Sequence, residues 1–301
     1  MEYSVSICST TYNLEKYIAQ AIESWLSQKT TFPVEIVISD DGSTDSTRAI
    51  VQKYAQSHDN IRLVCNDHMG MMPNFIKSLQ EAKGKYIAVC DGDDYWTDPY
   101  KLQKQFDFME NNPDFSACFT NSMIIEEATG EEKIAKTKIW DTATTAELLE
   151  HKDNDNIEMS PGHTSTYFYR NNLLVEFPDW MYGNVMTDFP LYMLVSRYGK
   201  AKFINEVTSV YRSRLGSDST KDFTLLKAYR QRIYAYENVN KELGYEFKGI
   251  INPIVSDYYF RIGKLLTKTH KPFSAVPYFV RSVFTDSSII KGWFKNKTKS
   301  K

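Results

Sequence analysis

Three clusters of polar residues in the first hundred positions each follow an apolar segment, and together they are rich in carboxylates. The clusters are Thr10–Asn13, Asp40–Ser43 and Asp91–Asp94. Carboxylates that pack together repel one another and raise each other's pKa, and a bound cation or a donor-rich ligand relieves that repulsion. The clusters therefore predict a binding site, provided that the fold brings them together.

Asp91 and Asp93 have the spacing of a cation site. In an extended segment, side chains two residues apart point to the same side, so both carboxylates can face one ion. Oxygen ligands without imidazole favour Mg²⁺ or Mn²⁺, with substrate phosphates completing the coordination shell. A solvated acidic turn at the start of the next helix is the alternative explanation of these residues.

Asp40 and Asp41 are successive carboxylates before Gly42, at a predicted junction between a strand and a helix. Asp and Gly are ordinary turn-forming residues, and that explanation accounts for one of the two carboxylates. The other fits a residue that accepts a hydrogen bond from a nucleobase N–H or a ribose hydroxyl. The Tyr12 ring could stack on a base, and a packing role explains a lone tyrosine equally well.

Segments of strand and helix character alternate through the first half of the chain. The predicted strands are Tyr3–Ser9, Val34–Ser39, Ile61–Cys65 and Tyr86–Cys90. The predicted helices are Leu14–Gln28, Thr47–Gln56, Asn74–Ala82 with a C-cap at Gly84, and Tyr100–Glu110. This order predicts an α/β fold with a parallel sheet covered on both faces. Ligands bind such a sheet at the carboxyl ends of its strands, where the three polar clusters lie.

The alternation becomes irregular after residue 112. The predicted strands there are Phe115–Glu126, Ile134–Trp140, Ser165–Tyr169, Ala201–Ile204 and Thr208–Tyr211. A helix is predicted over Phe189–Arg197, and the chain becomes helical from Asp222. We therefore predict two domains, residues 1–220 around the sheet and a helical region over residues 221–301.

Composition excludes several classes of protein. The 301 residues carry 36 Lys and Arg against 38 Asp and Glu, a net charge of −2 that does not favour nucleic-acid binding. The four cysteines have no C-x-x-C pair, which excludes a zinc ribbon and makes a disulfide framework unexpected. Neither a secretory signal nor a run of about 20 apolar residues is present, so we expect a soluble cytoplasmic protein.

Three other enzyme classes lack their motifs in this chain. A nucleotidyltransferase would need a glycine-rich phosphate loop, and the segment TTYNLEKY contains no glycine. A dinucleotide dehydrogenase would need G-x-G-x-x-G after a strand. A haloacid-dehalogenase-type phosphatase would need Thr or Val where this chain has Tyr95.

The three clusters, in their order and spacing, resemble the family 2 glycosyltransferases. The resemblance lies in Thr10–Asn13, EIVISDDGSTDST (35–47) and GKYIAVCDGDDYW (84–96). It covers residues 1–125 and extends more loosely to residue 219, and DGDDYWTDPYKLQKQFDFME is similar to bacterial members acting on cell-surface polysaccharide. The resemblance implies a GT-A fold, a Rossmann-like, mostly parallel sheet flanked by helices, here with a helical C-terminal extension.

The resemblance also implies roles for the clustered residues. Tyr12 and Asp41 would hold the nucleotide base, usually uracil. Asp91 would lie near the ribose, Asp93 would coordinate a metal on the diphosphate, and Asp94 could share either task. The implied substrate-binding residues are Thr10, Tyr12, Asp41, Asp91, Asp94, His163 and Arg212, and the implied ligands of Mn²⁺ or Mg²⁺ are Asp93 and Asp91.

Asp188 matches the catalytic base of the family by position, although a helix N-cap explains it equally well on local grounds. The family commonly has a histidine soon after a Tyr-Arg pair, whereas here Ser213 and Arg214 follow Arg212. Arg212 or Arg214 is therefore the candidate contact of the diphosphate. His163 resembles a residue on the acceptor side in bacterial members, and a structural role is its alternative.

The implied function is an inverting, metal-dependent transfer of a hexosyl or N-acetylhexosaminyl group. The donor would be a nucleotide sugar linked to UDP, and the acceptor would be a hydroxyl of a glycan or a lipid-linked molecule in cell-surface polysaccharide synthesis. A catalytically inactive nucleotide- or glycan-binding protein is the alternative. Residues 291–301 carry five lysines and no acid, which indicates either peripheral contact with the inner face of the plasma membrane or a frayed end. The helices from Asp222 are candidates for a homodimer contact.

Overall fold

The chain folds into two units that we describe separately. The computed structural model describes residues 3–135, 141–150, 162–184, 188–214 and 224–288. One compact unit spans Met1–Ser217 and the other Asp218–Lys301. The functional division at residues 220 and 221 stays a prediction.

The first half of the first unit is a parallel sheet with intervening helices. Its strands are β1 (Val5–Thr11), β2 (Val34–Asp40), β3 (Ile61–Cys65) and β4 (Tyr86–Val89). Its helices are α1 (Ile18–Leu26), α2 (Thr47–Ser57), α3 (Met71–Gln80) and α4 (Lys101–Asn111). β1 lies between β2 and β4, and β3 lies outside β2, with every pairing parallel. The carboxyl ends of β2, β1 and β4, which lie side by side, are therefore at the same edge of the sheet.

The second half extends the same sheet with pairings of both directions. Its strands are β5 (Tyr95–Trp96), β6 (Phe115–Glu126), β7 (Glu131–Ile134), β8 (Thr142–Ala143), β9 (Phe168–Arg170) and β10 (Lys200–Ser213). Its helices are α5 (Thr145–Leu149), α6 (Asp179–Tyr182) and α7 (Asp188–Ser196). The order is β3-β2-β1-β4-β9-β6-β10-β5, with β7 on β6 and β8 on β10. β9 is antiparallel to both neighbours, while β6 and β10 are parallel. The predicted α/β fold with a mostly parallel central sheet is confirmed.

Two predicted boundaries near the strand ends were wrong. The first strand continues to Thr11, beyond the predicted end at Ser9, because its pairing with β2 runs on to Asp40. The third helix begins at Met71 and is capped by Glu81, whose N–H is donated to the carbonyls of Leu79 and Lys77. Gly84 is therefore not a cap. It lies against β1, where a Cβ atom would come within 2.6 Å of the backbone of Ser6.

Four predicted strands also need correction. The strands predicted over Ala201–Ile204 and Thr208–Tyr211 are one strand, β10, whose register against β6 shifts twice between Ile204 and Ser209. These irregularities break the alternation that sequence patterns rely on. The segment predicted as Ser165–Tyr169 is a 3-10 turn over Thr164–Thr166 followed by β9. In place of the strand predicted over Ile134–Trp140, the strand that pairs with β6 is β7, Glu131–Ile134. Residues 136–140 of the predicted range lie outside the described residues.

Lys101, at the start of α4, is a charged side chain with no exposed surface. Its ammonium group donates a hydrogen bond to Gln105 and lies 4.8 Å from the centre of the Trp96 ring. Burial lowers the pKa of Lys101 to about 8, because the interior disfavours its charged form. At pH 7 the fold therefore carries an electrostatic penalty of about 3 kcal/mol.

Replacing Lys101 by methionine should remove this penalty and its pH dependence. The unfolded chain binds the proton more tightly, so wild-type stability rises with pH between about 8 and 10.5. We expect the free energy of unfolding of Lys101→Met, relative to wild type, to fall by about 3 kcal/mol from pH 7 to pH 10.5. Urea unfolding at several pH values measures this difference, with exposed Lys104→Met as the control. A difference that does not change with pH would contradict the prediction.

The second unit is helical, as the pattern after Asp222 predicts. Its helices are α8 (Leu225–Glu242), α9 (Lys248–Lys268) and α10 (Pro272–Thr285). Buried apolar residues of α8 recur three or four positions apart, among them Ile233, Tyr236 and Val239. None of the helices in the described part of the chain is both long and apolar enough to cross a membrane.

Candidate active site

The three polar clusters meet at one edge of the sheet, at the ends of β1, β2 and β4. Backbone hydrogen bonds join them, because Asp41 donates its N–H to Thr11 at 3.0 Å and Gly92 donates to Thr10 at 3.0 Å. A Cβ atom at residue 92 would lie 3.0 Å from the Thr10 carbonyl, so only glycine fits this approach comfortably. The parallel pairing thus places the predicted residues on one surface.

Asp91 is a carboxylate whose pKa reflects both its burial and its charged neighbours. Its carboxylate accepts a hydrogen bond from the Thr10 hydroxyl at 3.0 Å and another from the Thr164 hydroxyl. Burial raises the pKa of Asp91 to about 7, the Asp93 carboxylate adds to the rise, and Asp188 contributes further. Asp188, nearly one hundred residues away in sequence, is therefore an electrostatic neighbour of the acidic turn.

Asp94 faces β10. Its side chain is buried and accepts the backbone N–H of Arg212 at 3.0 Å. Burial, followed by the charges of Asp93 and Asp91, raises the pKa of Asp94 well above its ordinary value. The geometry gives this carboxylate a structural role, since it joins the acidic turn to β10. Its predicted contact with substrate stays a prediction.

Asp93 lies between two arginines. The Arg214 guanidinium donates to its carboxylate, and the Arg212 guanidinium donates to its backbone carbonyl. Both guanidinium groups lie over the Tyr17 ring, at 5.2 Å for Arg212 and 4.8 Å for Arg214 from the ring centre. Two cationic groups therefore lie beside the acidic turn.

The successive aspartates at the end of β2 have separate tasks. Asp40 is fully buried, accepts hydrogen bonds from the backbone and side chain of Ser43, and pairs with Arg48 at 2.8 Å. It is the residue that forms the turn. Asp41 accepts the backbone N–H groups of Met69 at 2.8 Å and Gly70 at 3.1 Å.

His68 is a site residue that our sequence reasoning missed. Its Nδ1 lies 2.9 Å from a carboxylate oxygen of Asp41, and its ring stacks on Tyr12 with the ring centres 4.7 Å apart. It thus joins the two residues to which the resemblance assigns the base. The signal was present, because His68 follows β3, whose carboxyl end lies at the same edge of the sheet.

Asp188 and His163 lie on the second-half side of the site. Asp188 is the first residue of α7, and its carboxylate accepts the Phe189 N–H at 2.7 Å. His163 lies 2.6 Å from the Ser122 hydroxyl through Nδ1 and stacks on Tyr211 with ring centres 4.2 Å apart. Burial lowers the pKa of His163 to about 4, so its ring is neutral at physiological pH.

The acidic turn fits a cation that binds together with a substrate. No group of three or more His, Cys, Asp or Glu side chains that could hold a metal is found among the described residues. Asp91 and Asp93 nevertheless lie near one another, since the charge of Asp93 adds to the effect of burial in raising the pKa of Asp91. Mg²⁺ and related ions are commonly bound by one or two carboxylates plus substrate phosphates. Asp93 and Asp91 are suited to that arrangement.

Two of the curated relatives match less than half of the chain, and a third matches nearly all of it. An uncharacterized protein of Mycobacterium bovis is 41% identical over 125 residues, which are 41% of this chain and 36% of that protein. The putative teichuronic acid biosynthesis glycosyltransferase TuaG of Bacillus subtilis is 38% identical over 106 residues, 35% of this chain and 41% of TuaG. An uncharacterized glycosyltransferase of Nostoc is 26% identical over 96% of this chain and 88% of its own length. This chain thus matches only about a third of the Mycobacterium bovis protein.

Solved glycosyltransferase structures share the fold over nearly the whole chain. Staphylococcus aureus TarS (residues 1–349), in complex with UDP-GlcNAc, superposes with a TM-score of 0.59 at 18% identity, covering 96% of this chain and 92% of that one. The mannosyltransferase PcManGT of Pyrobaculum calidifontis, in complex with GDP-Man and Mn²⁺, gives 0.54 at 15% identity over 98% and 88% of the chains. At these identities the likeness establishes the GT-A fold alone.

The family follows from a match over more than half of the chain. Residues 6–172 match the model of glycosyl transferase family 2. That range includes the ends of β1, β2 and β4 and all three polar clusters. The protein belongs to glycosyl transferase family 2.

Proposed function

We propose that this glycosyltransferase is an inverting enzyme that transfers a hexosyl or N-acetylhexosaminyl group from a UDP-linked donor. The acceptor is a hydroxyl of a glycan or a lipid-linked molecule in cell-surface polysaccharide synthesis. The observation that carries the proposal is the position of Asp188 at the start of α7, near enough to Asp91 for its charge to add to burial and Asp93 in raising the pKa of Asp91. This position supports a base beside the acidic turn. The names of TuaG and of the TarS complex support the substrate class.

The donor's nucleoside is proposed to bind at the ends of β1 and β2. Tyr12 offers a ring on which a base can stack, and the buried Asp41 carboxylate accepts hydrogen bonds there. Thr10 and Asp91 are proposed to bind the ribose. The guanidinium groups of Arg212 and Arg214, beside the acidic turn, are the proposed contacts of the diphosphate.

Asp93 and Asp91 are the proposed ligands of a divalent cation, Mn²⁺ or Mg²⁺. When bound, such an ion supplies Lewis-acid stabilisation of the charge on the leaving diphosphate. The ion pair of Asp93 with Arg214 already partly balances the acidic turn. Arg214 is therefore placed to hold the turn in shape before the donor arrives.

Asp188 is the proposed general base. The acceptor oxygen forms a bond to the anomeric carbon as the bond from that carbon to the diphosphate oxygen breaks. The acceptor's proton goes to the Asp188 carboxylate, and the nucleoside diphosphate leaves with the bonding electron pair. Attack from the face opposite the leaving group inverts the configuration. Positioning both substrates in line supplies the orientational part of the rate enhancement.

The choice of nucleotide can be tested by thermal stabilisation. We expect UDP with Mn²⁺ to raise the melting temperature more than GDP or dTDP, and more than UDP with EDTA. A ligand at one hundred times its Kd stabilises a protein by about 2.7 kcal/mol. Release of free sugar or transfer to a glycan acceptor then distinguishes an enzyme from an inactive binding protein. Equal shifts for all three nucleotides would contradict the proposed donor.

We also propose that the protein works in the cytoplasm, peripherally at the inner face of the plasma membrane. A lipid-linked acceptor would be presented there, and residues 291–301 carry five lysines and no acid. A homodimer through the helices of the second unit is the other proposed association.

A further inference from the structure

The last helix, α10, presents a continuous apolar stripe to solvent. At 100° per residue, its exposed apolar side chains fall within an arc of about 120°. Phe273 is 91% exposed and Phe284 is 87% exposed. The α10 stripe consists of Phe273, Val276, Pro277, Val280, Val283 and Phe284.

The opposite face of α10 is fixed against α9. The hydroxyls of Ser256 and Ser282 each donate to the other's backbone carbonyl, at 2.8 and 2.9 Å. A Cβ atom at residue 263 would lie 2.6 Å from the Phe279 ring, so Gly263 permits the close approach of the two helices. Rotating α10 to bury the stripe would break these contacts. The exposed face is therefore set by the packing of the unit.

The charge around the stripe identifies the kind of partner that it fits. Residues 258–285, which hold most of α9 and all of α10, contain five Lys and Arg and no Asp or Glu. Residues 291–301 add five lysines and again no acid, although the whole chain has a net charge of −2. An anionic surface is attracted to this region, whereas the same region of a second copy is repelled.

We propose that the α10 stripe lies on an anionic membrane surface. Its phenylalanine and valine side chains would enter the boundary between headgroups and acyl chains, as in interfacial amphipathic helices. Lys271 and Arg281, both exposed on α10 or directly before it, would contact the anionic headgroups together with the lysines of residues 291–301. The α10 stripe would thus be the surface that makes the peripheral membrane contact of the proposed function, on which this inference rests.

Vesicle flotation of the full chain tests this surface without any nucleotide sugar. We expect binding to vesicles of phosphatidylcholine and phosphatidylglycerol in equal parts, and little binding to phosphatidylcholine alone. Phe273→Ser with Phe284→Ser should lower the partition coefficient at least about tenfold, because the apolar contribution is lost. Val175→Ser, which changes an apolar residue that is 87% exposed in the first unit, is the matched control.

A second variant separates the charge contribution and guards against misfolding. Replacing Lys295, Lys297, Lys299 and Lys301 by glutamine should remove the preference for anionic vesicles, and changes no residue of α8, α9 or α10. Circular dichroism checks that each variant keeps its helices. If Phe273→Ser with Phe284→Ser does not fold, Val276→Ser with Val280→Ser tests the same stripe in its place. Light scattering measures the mass of each variant.

Three results would overturn the inference: no binding to anionic vesicles, binding unchanged by the stripe variants, or a dimer that only the stripe variants dissociate. The last would assign the stripe to a second copy of the chain. Because Asp188→Asn should bind vesicles like wild type, failure of the membrane surface is distinguishable from failure of the proposed transfer.

Discussion

Asp188→Asn is expected to reduce turnover about a thousandfold while leaving the affinity for UDP nearly unchanged. A positioned general base contributes about 10² to 10⁴ to a rate, and the amide cannot accept the acceptor's proton. Asparagine keeps an oxygen that can accept the Phe189 N–H, so the start of α7 should be preserved. Removing the charge of Asp188 also relieves a small part of the repulsion on Asp91, so we expect no loss of donor binding through that residue.

Single-turnover transfer measures the chemical step, and calorimetry with UDP measures binding. Asp179→Asn is the matched control, because Asp179 is an exposed aspartate at the first position of the neighbouring helix α6. The control should keep full activity. Substantial transfer by Asp188→Asn would show that another group accepts the proton, and a helix-capping role would then be the whole explanation of Asp188.

Asp93→Ala is expected to abolish the gain in UDP affinity that Mn²⁺ provides. The other proposed ligand, Asp91, remains in the variant, but burial, the largest cause of its raised pKa, still disfavours its charged form. Without Asp93, the turn therefore lacks its more exposed carboxylate. We expect Kd in Mn²⁺ to rise at least about tenfold, a loss of about 1.4 kcal/mol, with a small change in EDTA.

Calorimetry with UDP, in Mn²⁺ and in EDTA, separates the metal contribution from the ion pair with Arg214. Asp98→Ala is the control, because Asp98 is also partly buried and ion-paired, with Lys104, away from the strand ends. If the affinity of Asp93→Ala for UDP falls equally in Mn²⁺ and in EDTA, the role of Asp93 is to position Arg214 and not to bind the metal. Unchanged affinity in both would remove Asp93 from the donor site.

The edge of the sheet was predictable because its signal is local. β1 to β4 are apolar segments separated by helices, and parallel pairing dictates that polar residues after β1, β2 and β4 meet. The pairing partners of Asp93 and Asp94 were not predictable in the same way. Arg212 and Arg214 are brought to the acidic turn by β10. The irregular register of β10 interrupts the alternation of apolar residues by which a strand is recognised in a sequence. His68 was predictable in principle, since it follows β3, but no pattern of residues marked it.

The roles of Asp40 and Asp41 illustrate the same limit. Sequence reasoning recognises that one carboxylate must form the turn, and it cannot choose between them. The choice follows from Arg48, the second residue of α2, which pairs with Asp40, and from the Met69 and Gly70 amides, which donate to Asp41. Such partners are set by packing between helices and strands rather than by neighbours in the chain.

The position of β10 has a consequence for the order in which the protein is made. During synthesis the four parallel strands and the acidic turn emerge first, whereas the Arg212 amide and the Arg214 guanidinium follow more than one hundred residues later. Contacts between residues so far apart in the chain form late. A nascent chain that ends before residue 212 thus exposes Asp93 and Asp94 without these partners. The ribosome must finish β10 before the acidic turn can acquire its final contacts.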